Sequence, residues 1–563
     1  MKKTLLTICF LSLFLTALAQ QTPRRTGSIN GRVVTEDGAL VSGARVFIGA
    51  IGDRTPTPGR NITLDDDGNF TVNNLEARGY RVAASLPGYV TAGEDDAWRV
   101  ARLGDTVTVM LTKGGVITGR VTNDSGEPVI GLMMQAARVK DVNGKPINVA
   151  VNTGGGSMSA TDDRGLYRVY GLSAGSYVVS TQNANMIVNG SPYAGLVTTF
   201  YPSNTREGAT EVQVTPGSET GGIDIRFRAE LGHSISGKVA GAVPGAADTS
   251  MVARGVSVRL TLPGTQQTLA QSFVQTGRDQ FGFELKGIAN GEYEISAMNF
   301  QPDGANAISP TRRITVRNAD VGGVELVLAS LAAISGKFVI EPAAGLKPEE
   351  QALCVKSRPA GLNEIVLNAQ TVTARKSFQT AMGQTAMGLG DTAPAEDGAF
   401  TIPSLEAGQY RLNMNLPGDG WYVKSVAPPA GKTSLTIASG EKFSGVVVTL
   451  TEGAAQIRGK WSGKATGKQR VHLVPADAAL ANDVLRYYEA AVSSDGTFAL
   501  TQLAPGKYWL VVKAAQALVD GERLVRPLSW DAIARAALRK EAEAAAQAIE
   551  LTACMRLSDY KLR

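Results

Sequence analysis

The side chains that most often carry metal or acid–base chemistry are scarce in this sequence. Its 563 residues include two histidines, His233, followed by Ser-Ile-Ser, and His472, followed by Leu-Val-Pro. A zinc carboxypeptidase site needs His-x-x-Glu with another histidine. A Ser-His-Asp triad needs a histidine side chain that is hydrogen-bonded to the serine on one side and to the aspartate on the other. Neither arrangement is supported, so we interpret both histidines as half-buried strand residues. We predict no catalytic residue, no metal site and no cofactor.

Two segments partly match ligand-binding motifs. Residues 463–468 suggest a phosphate loop, but the glycines are one residue too close and Gln469 stands where Ser or Thr is needed, so we reject it. The acidic run Asp65–Asp67 offers the oxygen ligands that Ca²⁺ prefers. A hairpin turn with solvated acids is the favoured interpretation, because other units keep the same turn without the acidic run.

Aromatic rings that reach the surface can stack on sugars, which makes the five tryptophans candidates for a binding platform. Trp421 and Tyr422 follow a Gly-rich turn and are the best exposed pair. Adjacent strand residues point to opposite faces, so one of the two rings should lie outward. We predict that any glycan site involves Trp421 and Tyr422. Core packing is the competing interpretation, since large aromatic side chains are usually buried.

A repeat supplies the elements that would position such a site. Five times, isoleucine is followed by any residue, glycine, a basic residue and an apolar one. These opening phrases begin at Ile29, Ile117, Ile235, Ile334 and Ile457. A closing phrase of plug residue, glycine and tyrosine answers each opening. The closings are Leu75, Gly79 and Tyr80; Leu172, Gly175 and Tyr177; Ile288, Gly291 and Tyr293; Leu405, Gly408 and Tyr410; and Leu503, Gly506 and Tyr508. Such repetition indicates one domain type in tandem.

Within each unit, an aromatic strand residue precedes the plug by a constant interval. These aromatics are Phe70, Tyr167, Phe283, Phe400 and Phe498. Asp-Gly pairs such as Asp67 and Gly68 come shortly before the aromatic in three units and predict β-hairpins. Alternating apolar and polar residues, as in the opening at Ile117, predict strands with one buried face.

The opening, hairpin and closing phrases together resemble the carboxypeptidase regulatory-like domain family. The resemblance covers essentially all of the chain after its first residues, and segment 199–203 is similar to the connector of multi-module secreted bacterial members. It implies an all-β protein, a tandem array of about five transthyretin-like (prealbumin-like) Greek-key β-sandwich modules. The family is named after a module appended to zinc carboxypeptidases, so its name implies no activity for this chain.

The repeat positions predict the domain boundaries. Residues 1–19 have a short basic start, an apolar stretch and a small-residue cleavage site, which is typical of a signal peptide. We predict modules at 20–114, 115–231, 232–331, 332–454 with a long loop, and 455–563. They are called modules 1 to 5 below. No later segment is apolar enough to predict a transmembrane span.

The last module should also contain a C-terminal surface helix. Ser529 is the expected N-cap, Asp531 complements the helix dipole, and the helical run extends to about Ala548. Segment 476–488 is expected to form a short helix. Residues 549–551 and 555–562 are expected to form closing strands.

Cysteine and charge content bound the class of protein. Cys354 and Cys554 fall in different units, which we interpret as excluding a disulfide framework. The formal charge of +5 is small and evenly spread, so nucleic acid is not an expected partner.

We therefore expect an exported, periplasmic or extracellular, non-enzymatic protein that works as a structural or binding component of the bacterial cell envelope. Cell-surface glycans or envelope proteins are the expected partners. Two alternatives stay open: carbohydrate binding through the sandwich loops, and a hydrolase with an unrecognised carboxylate site.

The boundaries predict that single modules fold alone. A fragment of residues 115–231 carries its own opening strand, hairpin and plug, so it should unfold cooperatively on heating. Circular dichroism followed through a thermal melt tests this. A fragment shifted by half a module, 170–290, is the control and should lack a cooperative transition. A non-cooperative 115–231 fragment contradicts the boundaries.

Overall fold

The computed structural model describes residues 25–36, 38, 41, 43–52, 62–91, 99–147, 158–182, 192–241, 255–265, 267–275, 281–299, 306–343, 354, 360–372, 390–432, 434–463, 467–515 and 527–563. The predicted signal peptide and Trp98 lie outside these residues. The fold is all-β, as the sequence predicts, and the described strands belong to paired sheets.

Strands of the first three modules are as follows. Module 1 contains β1 (Thr26–Thr35), β2 (Arg45–Ala50), β3 (Asn69–Glu76), β4 (Tyr80–Ser85), β5 (Tyr89–Thr91), β6 (Arg99–Ala101) and β7 (Thr106–Lys113). Module 2 contains β8 (Gly115–Thr122), β9 (Met133–Lys140), β10 (Met158–Ala160), β11 (Leu166–Leu172), β12 (Gly175–Thr181), β13 (Glu211–Val214), β14 (Glu219–Thr220) and β15 (Ile225–Arg226). Module 3 contains β16 (His233–Ala240), β17 (Gly255–Thr261), β18 (Thr268–Gln275), β19 (Phe281–Ile288), β20 (Gly291–Asn299), β21 (Ala307–Ile308), β22 (Arg312–Val316), β23 (Val321–Val327) and β24 (Ala329–Ser330).

The last two modules carry the remaining described strands and one described α-helix. Module 4 contains β25 (Ala332–Glu341), β26 (Val366–Thr371), β27 (Ala399–Leu405), β28 (Gly408–Asn415), β29 (Trp421–Ala427), β30 (Leu435–Ile437) and β31 (Lys442–Glu452). Module 5 contains β32 (Ala455–Trp461), β33 (Gln469–Pro475), β34 (Tyr488–Ala491), β35 (Thr497–Leu503), β36 (Gly506–Ala514), helix α1 (Ala532–Ala545), β37 (Ala548–Leu551) and β38 (Arg556–Leu562).

One pairing plan recurs in the sheets. The opening strand pairs antiparallel with the strand that carries the aromatic and parallel with a strand near the end of the module, for example β16 with β19 and β23. The closing strand lies in the second sheet, where β20 pairs with β17. Each module is therefore a two-sheet sandwich in which the first strand is the neighbour of a strand near the end of the module.

The glycine of each opening phrase faces the aromatic residue of the hairpin strand. The paired residues are Gly31 and Phe70, Gly119 and Tyr167, Gly237 and Phe283, Gly336 and Phe400, and Gly459 and Phe498. A Cβ atom on Gly336 would overlap the carbonyl oxygen of Val446 and lie 2.8 Å from the Phe400 ring. Only glycine leaves room for both the ring and the neighbouring backbone.

The closing phrase has a constant geometry as well. The residue before each plug has positive φ; these residues are Asn74, Gly171, Gly287, Ser404 and Gln502. The closing tyrosine then donates its hydroxyl to the carbonyl four residues upstream, as Tyr508 does to Ala504 at 2.9 Å. The same bond is made by Tyr80, Tyr177, Tyr293 and Tyr410. The plug Leu172 is 1% exposed, as predicted.

Buried apolar residues form one large cluster inside each predicted module, and a small sixth cluster joins helix α1 to module 5. The boundaries between modules stay a prediction. Among the described residues, none of the helices has the length and apolar character of a membrane span.

Some local expectations near the C-terminus are wrong. Asp531, not Ser529, is the N-cap of α1, because its carboxylate accepts from the Ala534 amide at 2.8 Å. Ser529 lies one turn earlier, in the 3₁₀ turn Leu528–Trp530. The helix ends at Ala545, and segment 476–488 forms two 3₁₀ turns instead of a helix, Ala478–Leu480 and Val484–Arg486.

Replacing the opening glycine of a module should cause a large loss of stability in that module. A Cβ on Gly237 would overlap the carbonyl group of Val324, so Gly237→Ala should lower the free energy of unfolding by about 3 kcal/mol. Gly255→Ala in the same module is the matched control, since a Cβ there meets nothing within 4 Å. It should change stability by less than about 1 kcal/mol. Urea unfolding measures both; equal effects would contradict the close-approach argument.

Candidate functional site

The predicted sugar-binding pair lies at the junction between modules 4 and 5. Trp421 is 8% exposed and belongs to the core of module 4. Tyr422 is half-buried, and its ring centroid lies 5.9 Å from the guanidinium carbon of Arg486 in module 5. The two rings point to opposite faces of β29, as the alternation predicts. A sugar-binding role for this pair stays a prediction. Of the two rings, the Tyr422 ring is the one partly exposed to solvent and so able to contact a sugar.

Arg486 joins the same two modules through backbone carbonyls. Its guanidinium donates to the carbonyls of Val423 at 2.9 Å and Lys424 at 2.7 Å, both on the edge strand β29. On the other side of the junction, the Gln502 amide donates to the carbonyls of Leu416 and Gly418. These bonds hold the end of module 4 against the closing turn of module 5.

A disulfide also crosses this junction, which corrects the expectation from the sequence. Cys354 of module 4 is bonded to Cys554 of module 5, across 200 residues of sequence. The Cys554 amide donates to the carbonyl of Gly453 at 2.9 Å, at the connection between the modules. Assigning the cysteines to different units does not exclude a bond when those units touch.

A cleft of about 580 Å³ lies beside the junction. Its floor is formed by β28, with Arg411 and Asn413, and its far wall by Tyr487, Trp530 and Arg535 of module 5. The guanidinium carbon of Arg411 lies 5.8 Å from the Trp530 ring centroid. A volume of this size falls within the range of small-molecule sites, about 300–1,000 Å³. No local pattern in the sequence indicates this cleft, because its walls come from separate modules.

Module 1 contacts module 4, although two modules separate them in sequence. Arg81 forms an ion pair of 2.8 Å with Asp391. Arg102 donates to the carbonyl of Glu364 at 3.1 Å and to the carbonyl of Asn415 at 3.0 Å. Both arginines are less than a tenth exposed, so their charges are desolvated within this contact. Buried arginine bonded to carbonyl and carboxylate oxygens indicates a specific interface.

The remaining candidate residues are structural in their placement. His472 is buried instead of half-buried, 3.5 Å from Glu489, and burial lowers its pKa to about 4. The Asp65 carboxylate accepts from the amides of Asp67 and Asn69, and the bonds from Asn69 lower its pKa. That carboxylate therefore organises the turn. Among the described residues, no group of three or more His, Cys, Asp or Glu side chains could hold a metal ion.

Comparisons with solved structures find loose similarity to pilins and other bacterial proteins. The Bacillus anthracis TIE protein is 13% identical over 54% of this chain and 51% of its own, with a TM-score of 0.14. The minor pilin GBS52 of Streptococcus agalactiae is 13% identical over 36% of this chain and 97% of its own, with a TM-score of 0.19. Two B repeat units of the Staphylococcus aureus collagen binding protein are 12% identical over 76% of this chain and all of theirs, with a TM-score of 0.14.

Family comparison addresses the first module. No curated protein matches the chain at a significant level. Residues 28–112 match the model of the carboxypeptidase regulatory-like domain. The resemblance drawn from the repeated phrases is confirmed over these residues, which are similar to that domain.

Proposed function

We propose that this protein is an exported, non-enzymatic structural or binding component of the bacterial cell envelope, and that its modules work as one closed assembly. The contact that carries this proposal is the one between modules 1 and 4. In an extended string of independent modules, two arginines of module 1 would not be buried against a module so distant in sequence. In a scaffold that holds a fixed shape, such a contact is expected.

Contacts between successive modules support the same proposal. Strand β5 of module 1 lies against β11 of module 2. Arg206 donates to Gln267 between modules 2 and 3 at 3.4 Å. Between modules 3 and 4, the buried Asn306 amide donates to the Ser404 hydroxyl at 2.7 Å. Together with the return contact from module 4 to module 1, these junctions close a loop of four modules.

Export is supported by the disulfide and by the sequence of the first residues. Disulfides persist in oxidising compartments and are rare in the cytosol. The Cys354–Cys554 bond therefore fits a protein that residues 1–19 direct out of the cytoplasm. A second candidate function, carbohydrate binding, is favoured by the cleft between modules 4 and 5.

Breaking the contact between modules 1 and 4 tests the closed assembly. In the double variant Arg81→Ala with Arg102→Ala, the contact loses the ion pair with Asp391, at a cost of about 2–5 kcal/mol. It also loses the bonds from the Arg102 guanidinium to neutral carbonyl oxygens, worth about 1.5–3 kcal/mol each. Module 1 should then detach, and the radius of gyration and maximum dimension from small-angle X-ray scattering should increase. Arg45→Ala, which removes an exposed arginine of module 1, is the control. Unchanged scattering from a folded double variant would overturn the closed assembly.

The disulfide gives a separate prediction. By loop entropy alone, a link that closes about 200 residues contributes about 5 kcal/mol, and the contacts already present at the junction reduce that value. Dithiothreitol should lower the melting temperature of the wild type and leave Cys354→Ser with Cys554→Ser unaffected. Peptide mapping without reductant should recover Cys354 linked to Cys554. Two free thiols in the protein isolated from the periplasm or medium would contradict the bond.

A further inference from the structure

The cleft between modules 4 and 5 has an excess of positive charge. Arg411 and Arg535 line it, and Asp483 is the acidic residue among the described lining residues. The Asp483 carboxylate is already engaged, because it accepts from the Leu485 amide at 3.0 Å and lies 3.5 Å from Arg486. Its charge is therefore balanced outside the cleft, and the two lining arginines are left to face an anion.

Arg411 in particular has no anionic partner among the described residues. Its Nε atom is buried without a hydrogen-bond partner there, and its guanidinium lies beside the Trp530 ring. Burial first, and then the charge of Arg535, lower the pKa of Arg411. Arg535 is held in place by the carbonyl of Ser529 at 2.6 Å. A guanidinium group whose charge is disfavoured by burial and by a neighbouring cation is stabilised by a ligand that carries a negative charge.

The other lining groups suit a sugar. Trp530 and Tyr487 are half-buried and present ring faces, and the Tyr487 hydroxyl is fixed by the carbonyl of Ala481 at 2.7 Å. Asn413 donates to Gln370 at 2.8 Å, while no described residue donates to its amide oxygen. Aromatic faces can pack on the C–H face of a pyranose, and planar amides and arginine match hydroxyl and carboxylate groups.

An acidic peptide is the competing occupant of the cleft. Peptides commonly bind by extending a sheet, which requires an unpaired strand edge. The floor strand β28 pairs with β26 on one side, but β30 pairs only with its first three residues, so the other edge is open at Arg411–Asn415 among the described residues. The aromatic rings that line the cleft favour a sugar over a peptide, and the comparison with triglutamate below separates the two. We propose that the cleft binds an acidic oligosaccharide, with a uronic acid carboxylate between Arg411 and Arg535 and a sugar ring against Trp530.

Isothermal titration calorimetry of the full mature chain tests the proposal. The probes are trisaccharides of galacturonic, glucuronic, mannuronic and guluronic acid, with neutral maltotriose and triglutamate for comparison. At least one uronate trisaccharide should bind, and maltotriose and triglutamate should bind at least tenfold more weakly. Raising the salt concentration should weaken the uronate interaction. The absence of binding heat with every uronate at millimolar concentration would overturn the proposal. Equal affinity for triglutamate would overturn the assignment of the ligand as a sugar.

Variants locate the site. Arg411→Gln and Trp530→Ala should each weaken uronate binding at least tenfold with an unchanged melting temperature. Lys442→Ala, which removes an exposed cation of module 4 outside the cleft, should bind like the wild type. Tyr422→Ala distinguishes this cleft from the predicted pair Trp421 and Tyr422. Loss of uronate binding in that variant, with Arg411→Gln unaffected, would place the sugar at the predicted pair and overturn the assignment to this cleft. Wild-type affinity in a folded Arg411→Gln variant would overturn the assignment to this cleft. This outcome is independent of the scattering test, because the cleft does not involve module 1.

Discussion

The close approach of the opening glycine to a neighbouring carbonyl is the constraint on which each sandwich depends. In modules 3, 4 and 5 the parallel pairing changes register at this glycine, as between Ile235 and Gly237. The shift moves a carbonyl over the glycine, and the opposing aromatic ring lies on the same residue. A side chain there would separate the first strand from both neighbours at once. Because those neighbours come from the hairpin and from the end of the module, one glycine links local structure to closure of the whole unit.

The inner faces of the two sheets pack against each other within a module. The outer faces of the sheets are therefore free to contact other modules. Strand β4 is buried along most of its length because module 1 covers one face and module 4 covers the other. The face of module 4 that contacts β4 carries a row of polar side chains. In this row Asp391 binds Arg81 and accepts a hydrogen bond from Asn368 at 2.9 Å, and Asn413 donates to Gln370. This row runs along β26 and β28, from the contact with module 1 towards Arg411 in the cleft. One sheet face therefore serves both the assembly and the candidate binding site.

The repeated phrases could be interpreted from the sequence because their contacts are local or recur five times. Opening glycine, aromatic residue, plug and tyrosine all have the predicted places. What the sequence could not indicate arises between modules: the Cys354–Cys554 bond, the reach of Arg102 to Asn415, and a cleft whose walls come from β28 and the turn before α1. Each of these features joins residues whose separation in the sequence does not follow the repeat. Trp421 and Tyr422 show the same limit, since alternation predicts opposite faces but does not say which ring points inward or what module 5 covers.

The two kinds of junction differ in what they allow. Modules 4 and 5 are held by a disulfide, by Arg486 and by Gln502, so the walls of the cleft cannot separate freely. A ligand there meets arginines already in position and does not have to order two modules on binding, which lowers the entropic cost. The contact between modules 1 and 4 has no covalent bond in the described structure and depends on two desolvated guanidinium groups. It is therefore the junction at which the assembly should open first, whereas the junction between modules 4 and 5 keeps its geometry and so suits recognition.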